Sequence, residues 1–320
     1  MANTNAAATS WNCPNYTGEL FMIGANQTPF LNMIGGLQGG AIRTVRDFQF
    51  PLAQPWALEA ASQPSIHETA SLTAPTPWTY VREQDVNTVQ IFHRQVSVSY
   101  VKASVTGRIT ADTTTKLVDG SDPQPVQSEL DFQINAHMRQ IALDVEYTFL
   151  LGSYSQATSA GVAAKTRGIV TAVSTSKVNA SAATLTKALM DSLLQTMAAA
   201  GAEFLNPVIF CNAFQKTKLS DIYGYAPQDR NIGGMNIKQL ETDFAMLGVV
   251  WCPQMTTSVL LIADLAFCNP VFLPVPNKGV LFYEELSKTG ASESGQIYGQ
   301  IGLDYGPEEM HGQLYGLATS

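Results

Sequence analysis

Charge is scarce in this 320-residue chain. Asp, Glu, Lys and Arg make up 14% of it, against about 25% in an ordinary soluble domain. Hydrophobic content is 45%, which is unremarkable, so Thr, Ser, Gln and Asn carry the polarity. Scarce charge suggests a surface that faces other protein, because interface cores are depleted in charged residues. A secreted Ser/Thr-rich β protein is the other reading that composition permits. Basic residues are the scarcest: 18 Lys and Arg stand against 26 Asp and Glu, a net charge of −8. The first basic residue is Arg43 and the first lysine is Lys102. Tight binding to nucleic-acid phosphates needs clustered Lys and Arg, and none cluster here. The same absence argues against an anionic membrane surface.

The N-terminus has neither a basic region nor a continuous apolar core of the kind a signal peptide needs. No apolar run approaches the ~20 residues of a membrane span. The four cysteines, Cys13, Cys211, Cys252 and Cys268, lie far apart and fit neither a CxxC zinc pattern nor a disulfide framework. Free buried thiols in a reducing cytosol are expected. There is no HExxH, GxSxG, P-loop or strand-associated GxGxxG. His311 follows Glu308 and Glu309, but a metal site would need a second ligand pair, and a solvated turn is the simpler expectation. His137 reads as a hydrogen-bonded core histidine, His67-Glu68 as a polar loop pair and Asp264 as the cap of a turn. Lys165 and Arg167 flank a loop, either as a solvated pair or in carboxylate or phosphate contacts. No catalytic, cofactor or metal residue is assigned.

What is present is a long amphipathic stretch. Val126, Leu130, Ile134, Met138, Ile141, Val145 and Phe149 recur at steps of three and four, one face of a helix. Pro125 suits its first turn and Gly152 its end, which predicts a helix over 126–151, ~39 Å long. Phe132, Ala136, Leu143, Tyr147 and Leu150 form a second apolar stripe. One stripe buries against the home core; the other needs cover from elsewhere in the chain or from a neighbouring copy.

Around this strut the chain changes character. Residues 1–18 read as a flexible arm. Thr28-Pro29 offers an N-cap and first-turn proline for a short helix to Ile34. From Asp47 to about Val105 the pattern is extended: Phe48, Phe50 and Leu52, then Val89, Ile91, Val96, Val98, Tyr100 and Val105, with Pro51, Pro55, Pro64, Pro75 and Pro77 between. This predicts a long two-stranded excursion, marginal alone and stable against another subunit. Trp56, Trp78 and Tyr80 lie on it without an evident core of their own. Leu185, Leu189, Leu193 and Met197 predict a second helix ended by Gly201. A buried strand follows at 208–211, then a helix over 213–222 and a loop from Tyr223 to Gly234. Strands are predicted at 249–252, 259–263, 271–273 and 280–283, making a compact α+β unit over 168–285. The last 35 residues are expected to return as strands to the first domain.

This order resembles the major capsid proteins of tailed bacteriophages, the fold also seen in encapsulin shells and the herpesvirus capsid floor. The stretches that carry the resemblance are TPFLNMI at 28–34, VQIFHRQVSVS at 89–99, QLETDFAMLGVVWCPQM at 239–255, LSKTG at 286–290 and GQIGLDYGPEEMHGQLYGL at 299–317. It implies an α+β fold with an N-terminal arm (1–46), an extended β loop (47–95), a peripheral domain (96–167 and 286–320) holding the spine helix (126–151), and an axial domain (168–285). The implied function is self-assembly, through hexamers and pentamers, into an icosahedral head that encloses double-stranded DNA without sequence-specific binding. A virion location follows, with assembly in the host bacterial cytoplasm, a separate scaffolding protein and a portal as partners, and no membrane. Trp56, Trp78, Tyr80, Phe132, Tyr147, Tyr225 and Arg230 become the candidate interface residues, the last two on a loop toward the capsomer axis. Some members cross-link through a loop lysine, but here no lysine precedes Lys102, so non-covalent contacts are implied. An encapsulin-like cargo compartment, a Ser/Thr-rich adhesin or receptor-binding module and a hydrolase with an unrecognised site are the alternatives.

Overall fold

The fold is a computed structural model and describes residues 27–37, 43–53, 56, 58–77, 79–80, 84–104, 129–223 and 239–319. In chain order its elements are α1 (Pro29–Met33), β1 (Arg43–Thr44), β2 (Gln49–Pro51), α2 (Glu68–Ser71), β3 (Val86–Thr88), β4 (Gln90–Ser99), α3 (Tyr100–Ser104) and α4 (Glu129–Leu151). Next come α5 (Ile169–Ala172), β5 (Lys177–Asn179), α6 (Lys187–Ala200), β6 (Pro207–Cys211), α7 (Ala213–Tyr223), β7 (Gln239–Glu241), β8 (Met246–Trp251) and β9 (Leu260–Asp264). The chain closes with β10 (Asn269–Phe272), β11 (Leu281–Glu285), β12 (Ser292–Asp304), a 3-10 turn at Glu308–Met310 and β13 (Gly312–Tyr315).

The long helix is α4, 23 residues from Glu129; Pro125 and Val126 lie outside the described residues. Its first stripe faces the core. Ile141, Val145 and Phe149 are buried, while Leu130, Ile134 and Met138 pack at the margin. Of the second stripe, Phe132, Ala136 and Tyr147 are exposed, Leu143 is half-buried and Leu150 is buried. The helix stops at Gly152 because the chain has no room there. A Cβ on Gly152 would sit 2.7 Å from the Thr166 carbonyl, and one on Gly168 would sit 2.5 Å from the Gly152 nitrogen. These two facing glycines let the chain after the helix close back on its last turn, with the Gly168 amide donating to the Gly152 carbonyl at 2.9 Å.

Two sheets organise the rest. The first joins β1, β10, β12 and β11, with β4 also on β12. Strand β12 pairs antiparallel with β4 over ten residues, Ser292↔Ser99 to Ile301↔Gln90. Phe92, Val96, Ile297 and Ile301 point into the same core as the α4 stripe. The second sheet runs β5-β13-β9-β6-β8-β7. Its central strands are covered on both faces: Val208 and Phe210 of β6 face the α4 core, and Ile209 and Cys211 face a second core with Met190, Leu193 and Met197 of α6. Double burial is why β6 reads as a continuous apolar run instead of an alternating one. Helix α6 is capped by Thr186, whose hydroxyl accepts from the Leu189 amide, and ended by Gly201 at φ 92°.

The structure redistributes several expected elements. Strands β10 and β11 belong to the first sheet, not to the unit over 168–285, because each pairs antiparallel with β12. Strand β13 does not return with β12; it inserts between β5 and β9 in the second sheet. Residues 90–95, expected in the extended loop, lie within β4. Residues 100–104 are helical, not extended. The excursion itself has one strand pair at its base, β2 with β3, three residue pairs long from Gln49↔Thr88 to Pro51↔Val86. Above these, the regular structure among the described residues is the single helical turn of α2. Proline-punctuated chain with little buried surface has nothing to hold a longer ladder.

Candidate assembly surfaces

The base of the excursion is fastened by polar groups that sequence reading did not single out, apart from Arg167. The Asn87 amide donates to the Leu303 carbonyl at 2.7 Å and its oxygen accepts from the Arg167 amide at 2.8 Å. The Thr88 hydroxyl donates to the Lys165 carbonyl at 2.8 Å. The Arg167 guanidinium donates to Asp85 at 2.7 Å and to the Tyr305 hydroxyl at 3.1 Å, and it lies 4.8 Å over the Tyr154 ring. Burial pushes the Tyr305 phenol up to about 12, partly offset by Arg167. Of the two readings of the Lys165–Arg167 pair, Arg167 takes the carboxylate contact. The result is a rigid root for a segment that is exposed from Leu58 to Pro77.

On either side of that segment Trp56 and Tyr80 meet edge to face, ring centroids 5.8 Å apart, while remaining 59% and 49% exposed. Leu58, Ile66 and Leu72 are exposed as well. Exposed apolar groups gathered in this way are the general signature of an interaction surface. Trp78, Tyr225 and Arg230 lie outside the described residues. Phe132 and Tyr147 occupy the outer side of α4, away from the core that holds Ile141. The structure thus brings Trp56 to Tyr80 and sets Phe132 and Tyr147 on a separate face.

A third apolar surface lies at the start of the parallel pair β6 and β8. Phe204 and Phe244 stack at 6.3 Å, with Leu205 and Met246 exposed beside them. Sequence reading missed it because these residues fall in a turn and at a strand start, where no period reveals a shared face. The signal was local: Phe204-Leu205 before Asn206-Pro207 puts two large apolar residues in a turn.

The thiols, carboxylates and histidine that invite a chemical reading have structural partners. Among the described residues no group of three or more His, Cys, Asp or Glu could hold a metal ion, and no helix is long and apolar enough to cross a membrane. Cys211, Cys252 and Cys268 are buried, and burial raises each thiol, to about 12 for the first two, which removes thiolate reactivity. Asp264 caps the turn before β6, accepting from the Leu205 and Asn206 amides at 2.7 and 3.0 Å. Glu308 is tied down more firmly than a solvated turn residue. It accepts from the amides and hydroxyls of Ser174 and Thr175, and these bonds hold its carboxyl low despite burial. Thr-Ser donors at that distance in sequence left no periodic trace.

His311 is fully buried. Its Nδ1 accepts from the Asp264 amide at 3.1 Å and its Nε2 donates to the Tyr305 carbonyl at 2.6 Å. One acceptor and one donor role describe a neutral ring. Burial lowers its pKa from 6.5, against the opposing pull of Tyr305, Asp264 and Glu308. A base depressed in the fold binds its proton in the unfolded chain first, so stability is full above pH 6.5 and falls as pH drops toward the folded value. The expected result is a melting temperature of the unassembled subunit that declines below pH 6.5, with a shallower decline in His311→Gln. Equal slopes for the two proteins would remove His311 as the cause.

Residues 2–318 match a family model described as SU10 major capsid protein. Among solved structures, the cyanophage A-1(L) capsid asymmetric unit is similar at TM-score 0.64 and 12% identity, covering 99% of this chain and 100% of that one. The capsid of the native GTA particle gives 0.60 at 14% identity, covering 99% and 100%. The holo-SrpI encapsulin complex from Synechococcus elongatus PCC 7942 gives 0.56 at 9%, covering 97% and 93%. At these identities the structural likenesses speak for the fold. No curated protein matches the sequence.

Proposed function

From the premise that the chain belongs to the SU10 major capsid protein family, we propose how this phage-head subunit builds its shell. The single observation that carries the reading is the family match across residues 2–318, which favours a phage head over a cargo compartment or an adhesin. Copies pack through non-covalent burial of four surfaces: the Trp56–Tyr80 excursion, the Phe132–Tyr147 face of α4, the Phe204–Met246 cluster and the loop with Tyr225 and Arg230. The working division keeps an arm over 1–46, a loop rooted at Asp85–Thr88, a peripheral unit of α4 with the β12 sheet, and an axial unit of α6 with the six-stranded sheet. A net charge of −8 supports enclosing double-stranded DNA without gripping its phosphates. A separate scaffolding protein and a portal complete the assembly.

Expression of the chain alone, followed by sedimentation and negative-stain microscopy, tests this. Shells, tubes or capsomer rings are the expected products, and a monodisperse monomer at high concentration would overturn the reading. Purified shells boiled in detergent are expected to run as one monomer band. A ladder of covalent oligomers would overturn the non-covalent reading.

A further inference from the structure

One buried group has no part in the surfaces above. Glu146 lies on α4 and is fully buried. Its carboxylate accepts from the Phe30 amide at 2.9 Å and from the Leu31 amide at 2.6 Å, across more than a hundred residues of sequence. The Cys252 thiol, just past β8, donates to it at 3.5 Å. Three parts of the molecule therefore meet at one side chain: the spine, the short helix α1, and the six-stranded sheet.

The first turn of α1 shows what the carboxylate does there. A helix leaves its first backbone N–H groups without internal partners. Pro29 has no N–H to satisfy, and the Asn32 amide donates to the Thr28 carbonyl at 3.0 Å. The remaining two donors are Phe30 and Leu31, and Glu146 takes both. Thr28 occupies the N-cap position but makes no side-chain cap bond, so the cap expected from Thr28 is supplied by another helix. A negative group is also favoured at a helix N-terminus. Five residues cannot hold a helix alone, so the position of α1 depends on what it docks against.

Apolar packing holds α1 through Phe30 and Leu31, both buried. Phe30 meets the Phe210 ring edge to face at 5.3 Å. Beside Leu31 a cleft of about 400 Å³ opens against the spine, lined by Thr28, Leu31, Met138, Ala142 and Leu281 among others. Burial pushes the Glu146 carboxyl above its ordinary value, against the pull of the Leu31, Phe30 and Cys252 bonds. A well-packed hydrophobe in this place would cost less to bury. What the carboxylate adds is direction, because two backbone bonds fix both the position and the axis of α1.

We infer that Glu146 is a positioning residue for assembly: it fixes the position and axis of α1 against the spine and the six-stranded sheet, as closed shells require. The inference rests on the shell-subunit reading. The test uses the full-length Glu146→Gln variant, whose amide offers one acceptor to two donors. Amide exchange in the unassembled subunit is expected to rise about tenfold at Phe30 and Leu31, the loss of roughly one such bond. Exchange in α6 and β6 stays at the wild-type rate, and closed shells give way to open or irregular products. Leu31→Ala, which loosens the apolar packing of α1, is expected to reproduce both effects. Unchanged exchange at Phe30 and Leu31 would overturn the inference. So would freed α1 with wild-type yields of closed shells, in either variant; Leu31→Ala decides the matter if Glu146→Gln does not fold. A wild-type chain that makes no shells overturns the shell reading itself, and the exchange result still decides whether Glu146 holds α1.

Discussion

Ile141→Asp is expected to leave no folded subunit. Ile141 is 1% exposed, at the centre of the α4 face that meets Val145, Phe149 and the inward residues of β4 and β12. Removing the side chain's bulk costs about 2–5 kcal/mol in a packed core. Burying a carboxyl without partners costs several more, whichever protonation state it takes. Their sum is comparable with the whole stability of an ordinary domain, about 5–15 kcal/mol. Glu146, five residues on, shows what a carboxylate needs at this depth: two backbone donors within 2.9 Å and a thiol besides. The position of Ile141 faces side chains of the core. Soluble expression, circular dichroism and thermal melting of the variant check this. A soluble protein with a cooperative melt would show that the first stripe does not anchor the core.

The two helix faces differ in how well the sequence displayed them. The first stripe of α4 was legible because a 3.6-residue period and a single core coincide there. The second was half legible. Leu150 turns back into the core while Phe132 and Tyr147 stay outside, and periodicity cannot distinguish a face awaiting a neighbour from one already covered. Glu146 left a trace that could have been used: its helix neighbours Ala142, Leu143, Phe149 and Leu150 are all apolar, so a lone charge among them had to be either exposed or partnered. The strands were legible one by one, but their grouping was not. Residues 269–285 follow the six-stranded sheet in sequence yet pair with β12, whereas β13 follows β12 yet crosses to β9. Both choices depend on antiparallel register between distant segments, which hydrophobic pattern does not encode. The root of the excursion was hidden for a related reason: Asn87 is a polar residue in a strand, and its partners, Leu303 and Arg167, are backbone groups far along the chain.

Tyr147→Asp is expected to fold and to fail at assembly. Tyr147 sits six residues beyond Ile141 on the same helix but is 54% exposed, so its replacement leaves the core as it is. Two penalties apply to the isolated subunit, and both are small. A negative charge in the last turns of a helix opposes the macrodipole by about 0.3–1 kcal/mol, and Asp144, three residues earlier, repels it by a few tenths of a kcal/mol. The melting temperature should therefore fall by only a few degrees. In the shell the balance reverses. A buried aromatic contact is worth about 2 kcal/mol or more when truncated, and an unpaired charge in the desolvated contact adds to that loss. Each 1.4 kcal/mol weakens a contact tenfold, and every copy carries the same change. Assembly measured by sedimentation should be lost at concentrations where the wild type closes shells, while Tyr147→Phe, which keeps the ring, should assemble normally. A Tyr147→Asp protein that builds closed shells at the wild-type threshold would take this face out of the proposed subunit contacts.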